Sequence, residues 1–537
     1  MLLPALLTLL LNTLLSRAQT VNTTVQVSIS PTAPSAGSVN LSPSLVSFSI
    51  EQDRWAEWAG TTTKNTFFYN ALENLRALTG EPPWIRIGAD SEDHTNFDAG
   101  TQYSSTIFPA YTPTTPYPEA SNITVGNGFY DLAAKLPRGT HVWWGVNFRD
   151  DNLTAAYLEA IAIVDAFNTP AIRAAGITLD FIEIGNEADL YAKHGARPTP
   201  YGPDQYVPEW TEFATNITIA TNLWDTQTRL VGGAFAESSH TTDGLSPQGI
   251  FASGILDSQA GSLIKVISQH HYSGSFCSGS GGLLQDLMTK ATIRSNLSSF
   301  SPDIQATQQQ GIQYVLGETN SYSCHGAPGV SNTAGAALWA IDYILYAAQI
   351  GISRVHFHDG IGYKYNLIQP VTLTRSILDG SALATPLAPH IQPAYYAAII
   401  AAEAIGQSGF TQASEIQIDN DRVAGYAFYE GGLLVRAVLI NSQAYLQGQI
   451  NPRGSVHVNL SIGGSDPAQQ FTVKRLSIGY ADDTAGVTWG GQTYETADAK
   501  VSGRETLQTT TVGAGVDIQD TEVVLLDFQA WSITISV

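Results

Sequence analysis

Short apolar runs alternate with helix-like segments between residues 45 and 360, and this alternation predicts most of the fold. The runs are rich in β-branched and aromatic residues, as strands are. They are Val46–Ile50, Trp84–Gly88, His141–Phe148, Leu179–Ile184, Arg229–Phe235, Ile264–His271, Ile312–Leu316 and Arg354–Phe357. Helical spacing of apolar residues separates them, as in Phe67–Leu78, Ala155–Ala175, Pro208–Leu223 and Thr333–Ile350. Strand followed by helix, eight times over about 320 residues, predicts an α/β fold of the (β/α)8 or TIM-barrel type.

The pattern changes after about residue 405, where strand-like runs follow one another with Gly, Asn and Asp turns between them. These runs are Val423–Tyr429, Leu433–Ile440, Val456–Ile462, Phe471–Ile478, Gly486–Trp489 and Val523–Ile535. They predict a C-terminal β-sandwich over residues 406–537, appended to a barrel over residues 41–405. Val25–Ile29, within residues 19–40, has no helix behind it and is expected to pair into the sandwich.

Composition and charge narrow the function. Hydrophobic residues make 43% of the 537 residues and the mean hydropathy is −0.02, which is ample for a core and excludes global disorder. Lys and Arg number 25 against 47 Asp and Glu, a formal net charge of −22. Such acidity excludes nucleic-acid binding and argues against a long polyanionic substrate, because nothing attracts either to the surface.

The N-terminal sequence predicts a secreted protein. Leu2–Leu15 is a Leu-rich run too short to span a bilayer, and Ser16 and Ala18 fit a cleavage site after residue 18. The alternative is a buried N-terminal helix. Seven Asn-x-Ser/Thr sequons support a glycoprotein. Once residues 1–18 are removed, we expect no contact with a membrane. Their asparagines are Asn22, Asn40, Asn122, Asn152, Asn216, Asn296 and Asn459.

Two cysteines, Cys277 and Cys324, are present, and in an oxidising compartment one disulfide between them is the simplest expectation. The alternative is a catalytic thiol beside His325, which would need a general base and an electropositive environment. His356 and His358 alternate along one strand, but no cluster of further ligands accompanies them. We therefore expect neither a metal nor a cofactor.

Two glutamates stand where a barrel places catalytic groups. Glu187 follows the fourth predicted strand and Glu318 the seventh, and active sites of this fold lie at the C-terminal strand ends. A lone strand-end Glu is usually solvated or paired with a cation. A pair on facing strands fits retaining glycoside hydrolysis, in which one carboxylate attacks the anomeric carbon and the other protonates the leaving oxygen.

Four segments then carry a resemblance to a known family. The run from Leu316 to Thr333 (LGETNSYSCHGAPGVSNT) resembles glycoside hydrolase family 79, the β-glucuronidases and heparanase. Ile184–Glu187, His270–Tyr272 and Gly360–Leu367 resemble further segments of that family in the same order. Within the family, the chain resembles the secreted fungal β-glucuronidases.

The resemblance implies a set of roles. Glu187 becomes the acid/base, Glu318 the nucleophile, Asn186 a ligand of the sugar 2-hydroxyl, and Tyr272 the residue that holds Glu318. The resemblance also implies ligands of the uronic carboxylate, namely Tyr365 and the backbone amides of Cys324, His325 and Gly326. It implies that Glu51 and Asp90 bind sugar hydroxyls. In the loop after Glu318, from Tyr322 to Gly326, the chain departs from heparanase, which is Gly-rich there. The implied roles therefore fall on backbone amides, which do not depend on residue type.

Three positions keep two interpretations open. Arg86 either orients a carboxylate such as Glu318 or forms a structural pair with Glu183. Lys364 is expected at the surface, with assistance in carboxylate binding as the alternative. A disulfide would either fix the amides after Cys324 or only stabilise an exposed loop.

The sequence thus predicts a secreted, retaining exo-β-glucuronidase that releases terminal glucuronic acid, or its 4-O-methyl form, from carbohydrates. An endo-β-glucuronidase of sulfated chains is one alternative, although the strand-end loops lack Lys/Arg clusters. A neutral-sugar β-glycosidase with the same fold and a non-catalytic carbohydrate-binding protein are the others.

Overall fold

The computed structural model describes residues 23–528. Within this range eight parallel strands close into a barrel, with each strand paired to the next and the last to the first. They are β1 (Val46–Glu51), β2 (Ile85–Gly88), β3 (His141–Val146), β4 (Thr178–Ile184), β5 (Arg229–Phe235), β6 (Ile264–Ser275), β7 (Gln313–Ser323) and β8 (Val355–Asp359). The predicted (β/α)8 barrel is confirmed. β6 and β7 continue beyond their apolar runs, since they pair with each other as far as Ser275 and Ser323.

Helices surround the barrel between and after its strands. They are Trp55–Ala59, Thr66–Thr79, Asn127–Asp131, Leu153–Phe167, Pro170–Ala175, Pro203–Thr221, Pro247–Ala252, Leu284–Met288, Lys290–Ser298, Ser301–Gln309, Ala334–Gln349 and Tyr395–Ile405. The single helix expected over Ala155–Ala175 is wrong in one respect. It breaks before Pro170, which lacks an amide proton and begins the second helix instead. None of these helices is both long and apolar enough to cross a membrane.

A long insertion after β2 covers one side of the barrel mouth. It forms a small sheet of Thr95–Phe97, Asn122–Val125 and Ser104–Ile107. Two antiparallel ribbons follow β8, one of Ile368–Gln369 with His390–Ile391 and one of Leu373–Arg375 with Ala382–Leu387. These elements build the rim around the C-terminal strand ends.

The C-terminal part consists of strands. One sheet contains Val39–Asn40, Gln412–Glu415, Val423–Glu430, Leu433–Asn441, Glu522–Asp527, Gln470–Ser477, Thr488–Trp489 and Gln508–Thr511. A second sheet contains Thr23–Ile29, Ser455–Ile462 and Val516–Gln519. Thr23–Ile29 pairs in parallel with Ser455–Ile462, and the two sheets enclose an apolar core of their own. The appended β domain is confirmed, while the segment 1–18, its cleavage site, Asn22 and the end of the last predicted strand lie outside the described residues.

Candidate active site

Glu187 follows β4 and occupies the mouth of the barrel. Its φ of 52° turns the chain sharply. The Glu187 amide donates to the carbonyl of Ala234 at 2.8 Å, and this hydrogen bond connects Glu187 to β5. Nδ1 of His270, on β6, lies 2.9 Å from Glu187 Oε1. The side chain is 24% exposed, so the carboxyl group remains accessible to a substrate.

Glu318 lies within β7 and is held at both oxygens. The Tyr272 hydroxyl donates to Oε1 at 2.7 Å, and Arg86 Nη1 donates to Oε2 at 2.8 Å. Tyr272 comes from β6 and Arg86 from β2, so strands from both sides of the barrel position the carboxylate. The predicted contact between Tyr272 and Glu318 is present.

The two glutamates meet at one point, and their environments differ. Carboxylate oxygens of Glu187 and Glu318 lie within 4.8 Å of each other. Burial, followed by the charge of Glu318, raises the pKa of Glu187 well above its ordinary value. Burial acts in the same direction on Glu318, but the facing charges of His358 and Arg86 outweigh it and lower the pKa of Glu318. One carboxyl is thus kept protonated and the other ionised.

Arg86 fulfils both of its predicted roles. Besides Glu318, it donates to Glu183 Oε1 from Nε at 2.8 Å and from Nη2 at 2.6 Å. Nη2 also donates to Asn186 Oδ1 at 2.8 Å. Because this bond occupies the amide oxygen, the amide nitrogen of Asn186 remains the group that can donate to a ligand.

Glu51, at the end of β1, is buried beside the pair. Its Oε1 accepts from the amide of Ser91 at 2.9 Å and from the Ser91 hydroxyl, and its Oε2 lies 3.2 Å from His358 Nε2. Burial and the charge of Glu119 raise its pKa well above the ordinary value. Asp90 differs, since its side chain is 59% exposed and lies 3.5 Å from His94 at the rim.

The loop after β7 holds the predicted carboxylate-binding amides. Cys324, His325 and Gly326 all have positive φ values of 58°, 67° and 86°. The amide of Gly326 donates to the carbonyl of Tyr322 at 3.0 Å. The expectation for Gly326 is therefore wrong, because its N–H is already used to close the turn. A Cβ at Gly326 would lie 2.9 Å from Tyr365 N, so the loop and Tyr365 pack in contact.

Cys277 and Cys324 form a disulfide, which confirms the predicted pair and excludes a free thiol at either position. The bond joins the segment after β6 to the loop after β7. His325, next to Cys324, stacks its ring on Tyr363 with centroids 3.7 Å apart.

Lys364 corrects another expectation, because it is buried rather than at the surface. Its Nζ donates to the carbonyl of Thr114 at 3.2 Å and lies 5.3 Å from the ring of Phe276. Tyr365, its neighbour, is also buried, with its ring 5.9 Å from Tyr272. The neighbours Lys364 and Tyr365 thus face opposite sides: Lys364 faces the insertion after β2, and Tyr365 faces Tyr272 in the pocket.

Two further groups at the site escaped the sequence analysis. Glu119, in the insertion, pairs with His325 Nε2, and its pKa is lowered because the charge of His325 outweighs its burial. Asp93, three residues after Asp90, accepts from the Asn186 amide at 3.2 Å and the Tyr191 hydroxyl at 2.7 Å. The acidic run around Asp90 is a signal that could have indicated Asp93, whereas nothing local marks Glu119.

One atom each of Glu187, His270 and Glu318 lies within 4.8 Å of the others, a spacing that a metal ion could bridge. Hydrogen bonds and ion pairs already account for the arrangement. Arg86 faces Glu318, and His270 faces Glu187. Burial lowers the pKa of His270 to about 3, so this imidazole is neutral and acts through hydrogen bonds.

Comparisons with known proteins give consistent results. Residues 425–525 match the model of the glycosyl hydrolase family 79 C-terminal beta domain. A beta-glucuronidase of Neurospora crassa is 29% identical over 521 residues, 88% of each chain. A beta-glucuronidase of Aspergillus niger is 28% identical over 93% of this chain and 92% of its own length.

Solved structures share the fold. A 4-O-α-L-rhamnosyl-β-D-glucuronidase from Fusarium oxysporum 12S, solved as its Rha-GlcA complex, superposes with a TM-score of 0.76 and 24% identity, covering 94% of this chain and all of its own. An α-L-arabinofuranosidase from Thermotoga petrophila superposes with a TM-score of 0.57 at 12% identity, over 94% of this chain and all of its own. Both comparisons cover the barrel and the β domain together.

Proposed function

We propose that this chain, an O-glycoside hydrolase that belongs to glycoside hydrolase family 79, is an exo-acting, retaining β-glucuronidase. The proposal rests on one observation above all, the two carboxyl groups at the barrel mouth. Their oxygens lie no more than 4.8 Å apart, close to the separation of about 5–5.5 Å in retaining enzymes and well below the roughly 6.5–9.5 Å with which inverting enzymes admit a water nucleophile.

The proposed mechanism is a double displacement. Ionised Glu318 attacks the anomeric carbon while protonated Glu187 gives its proton to the leaving oxygen, so the glycosidic bond breaks as the ester to Glu318 forms. Glu187, now a carboxylate, then takes a proton from water, which attacks the same carbon and releases Glu318. Asn186 donates to the sugar 2-hydroxyl, an interaction that strengthens in the transition state.

Recognition of a uronic acid is supported by donors near the nucleophile. The amides of Cys324 and His325 belong to the tight turn that the Gly326–Tyr322 hydrogen bond closes, and a turn can gather successive N–H groups toward an anion. The backbone of Tyr365 packs against this loop, and its ring lies 5.9 Å from that of Tyr272, so its hydroxyl is the third proposed donor. The beta-glucuronidase names of the Neurospora and Aspergillus relatives agree with this choice of substrate.

Exo action is supported by contacts that close one end of the cleft. The insertion after β2 contacts the loops after β7, β1 and β8 there. Glu119 pairs with His325. The Ala120 amide donates to Asp53 Oδ2 at 3.0 Å, and the Thr114 carbonyl accepts from Lys364. A sugar chain running past this side of the pocket would meet the insertion. A terminal residue, free or carrying a methyl group at O4, is the proposed occupant.

Secretion is part of the same proposal. It is supported by the Leu-rich run before residue 18 and by the Cys277–Cys324 disulfide, a bond that is rare in reducing compartments. The six sequon asparagines within residues 23–528 are exposed or half-buried, and none lies in the core. Glycan release and mass determination of the secreted protein would test this part.

The activity test compares p-nitrophenyl β-glucuronide with p-nitrophenyl β-glucoside and follows the first-formed anomer by NMR. We expect a large preference for the glucuronide and initial release of the β-anomer. A preference for the glucoside would favour the neutral-sugar alternative, and initial release of the α-anomer would exclude the retaining mechanism. Internal cleavage of a sulfated uronic-acid polymer would favour the endo alternative.

A further inference from the structure

A cavity is lined by the loop that follows Glu187, from Asp189 onward, and lies outside the groups that the mechanism uses. Its volume is about 830 Å³, within the usual range of ligand pockets. Its walls are the loop after β4, the N-terminal residues of the helix Pro203–Thr221, and the loop after β5. They include Asp189, Tyr201, Asp204, Glu237, Ser238, Ser239, Thr242 and Asp243.

The position of this cavity relative to Glu187 indicates what enters it. Asp189 lies two residues after Glu187, and its charge contributes to the raised pKa of Glu187. Asp189 accepts from the amides of Ala236 and Glu237 at 2.9 and 2.7 Å, which joins the loops after β4 and β5 into one wall. The cavity is therefore on the side of the group that donates a proton to the leaving oxygen.

Apart from Asn186 and the loop after β7, the proposed sugar-binding groups lie on the opposite side of the barrel. Glu51 ends β1 and Tyr365 follows β8, and in an eight-stranded barrel β8 and β1 face β4 and β5 across the mouth. A glucuronosyl residue held by that side directs its anomeric oxygen toward Glu187. The group attached to this oxygen then continues toward the cavity.

The charge of the walls selects among leaving groups. Asp204, Glu237 and Asp243 are exposed on the cavity walls, while no Lys or Arg belongs to the described residues that line it. Lys193, at the rim, pairs with Glu237 at 2.8 Å. The remaining lining is hydroxyl-rich, with Tyr201 as the aromatic side chain among these residues.

We infer that this cavity, defined by the lining residues above, is the leaving-group subsite and that it takes polar leaving groups without negative charge, such as a neutral saccharide. The inference rests on the proposed glucuronidase function. Negatively charged leaving groups, sulfated sugars among them, are repelled by Asp204, Glu237 and Asp243.

Three aryl β-glucuronides test the inference. They share one phenol, so the chemical step is the same, and carry a short arm ending in a hydroxyl, an ammonium or a sulfonate group. At low ionic strength we expect kcat/KM for the sulfonate to be about fivefold or more below that for the hydroxyl, and the ammonium to equal or exceed the hydroxyl. High salt should reduce these differences. Equal kcat/KM for all three compounds would overturn the inference.

Charge reversal ties the effect to the cavity. Glu237→Lys combined with Asp243→Lys should reduce the hydroxyl-over-sulfonate preference at least about threefold. Asp165→Lys, exposed on the outer helix Leu153–Phe167, is the control and should keep the preference of the original protein. An unchanged preference in the double variant, with thermal unfolding showing that it is folded, would contradict the assignment. If the original protein did not hydrolyse even p-nitrophenyl β-glucuronide, that result would instead contradict the proposed function.

Discussion

Glu187 and Glu318 present carboxylate oxygens within 4.8 Å of each other, and their pKa values are shifted in opposite directions. The asymmetry comes from their partners. Glu318 accepts from a guanidinium and a phenol, whereas Glu187 faces a neutral imidazole. At the same pH one carboxyl is therefore ionised and the other protonated, as the proposed nucleophile and the proposed acid require.

Glu318→Gln should lower kcat roughly 10⁴-fold or more, because the amide cannot form the glycosyl ester. In Glu318→Ala, which removes the carboxylate altogether, azide should enter the vacated space next to the anomeric carbon of a substrate with a good leaving group and yield an α-glucuronosyl azide, identified by NMR. Thermal unfolding of the variant checks that Arg86, deprived of one partner, has not disrupted the barrel. Formation of the β-azide would contradict the role of Glu318.

Glu187→Gln should reduce hydrolysis in proportion to the leaving group's need for a proton. We expect losses of about 10²–10⁴-fold for poor leaving groups such as p-methylphenol, and much smaller losses of the glycosylation rate for 2,4-dinitrophenol. Pre-steady-state release of the phenol measures this step. Equal losses for both phenols would contradict the acid role.

Tyr272→Phe should move the acidic limb of the kcat/KM profile to higher pH by about one unit or more. The Tyr272 hydroxyl stabilises ionised Glu318, so its removal raises the pKa of Glu318. Activity falls as pH decreases through that pKa, whereas the alkaline limb follows loss of the proton from Glu187. Tyr322→Phe, a tyrosine without a contact to Glu318, is the comparison. A limb that stays in place would indicate that the hydroxyl has only a structural role.

Replacing Cys277 and Cys324 by Ser should lower the free energy of unfolding by about 4 kcal/mol, since the bond closes 47 residues. If the bond also fixes the amides of Cys324 and His325, KM for the glucuronide should rise while kcat with the glucoside stays the same. Denaturant unfolding and the two aryl substrates measure the two effects separately. A loss of stability without a change in KM would leave the bond a purely stabilising role.

Lys364→Met should change how stability depends on pH. Burial lowers the pKa of Lys364 to about 8 in the folded protein, against about 10.4 in an unfolded chain. Between these values the unfolded chain binds more protons, so the contribution of Lys364 to stability rises with pH. Relative to Lys364→Met, the original protein should gain melting temperature from about pH 7.5 to about pH 9.5. Lys64→Met, at an exposed lysine, serves as control.

The sequence by itself determined the architecture and the two glutamates. Eight apolar runs with helices between them predict a parallel sheet covered on both faces, and their number is that of a (β/α)8 barrel, which places whatever follows β4 and β7 at one mouth. The presence of two cysteines also indicated the Cys277–Cys324 pair, and the positions of the predicted strands indicated the partners of Arg86. The break before Pro170 was present in the sequence too, because proline's effect on a helix is local.

Only the tertiary structure decided the environment of each group. Glu119 lies 206 residues before His325 in the chain, and Lys364 is buried under Thr114, because the insertion after β2 folds over the loops after β7 and β8. The Gly326 amide donates to the carbonyl of Tyr322 in a turn, and this turn depends on three successive positive φ values. The contacts of Glu119 and Lys364 join residues far apart in the chain, and pKa values depend on burial and facing charges that no local pattern contains.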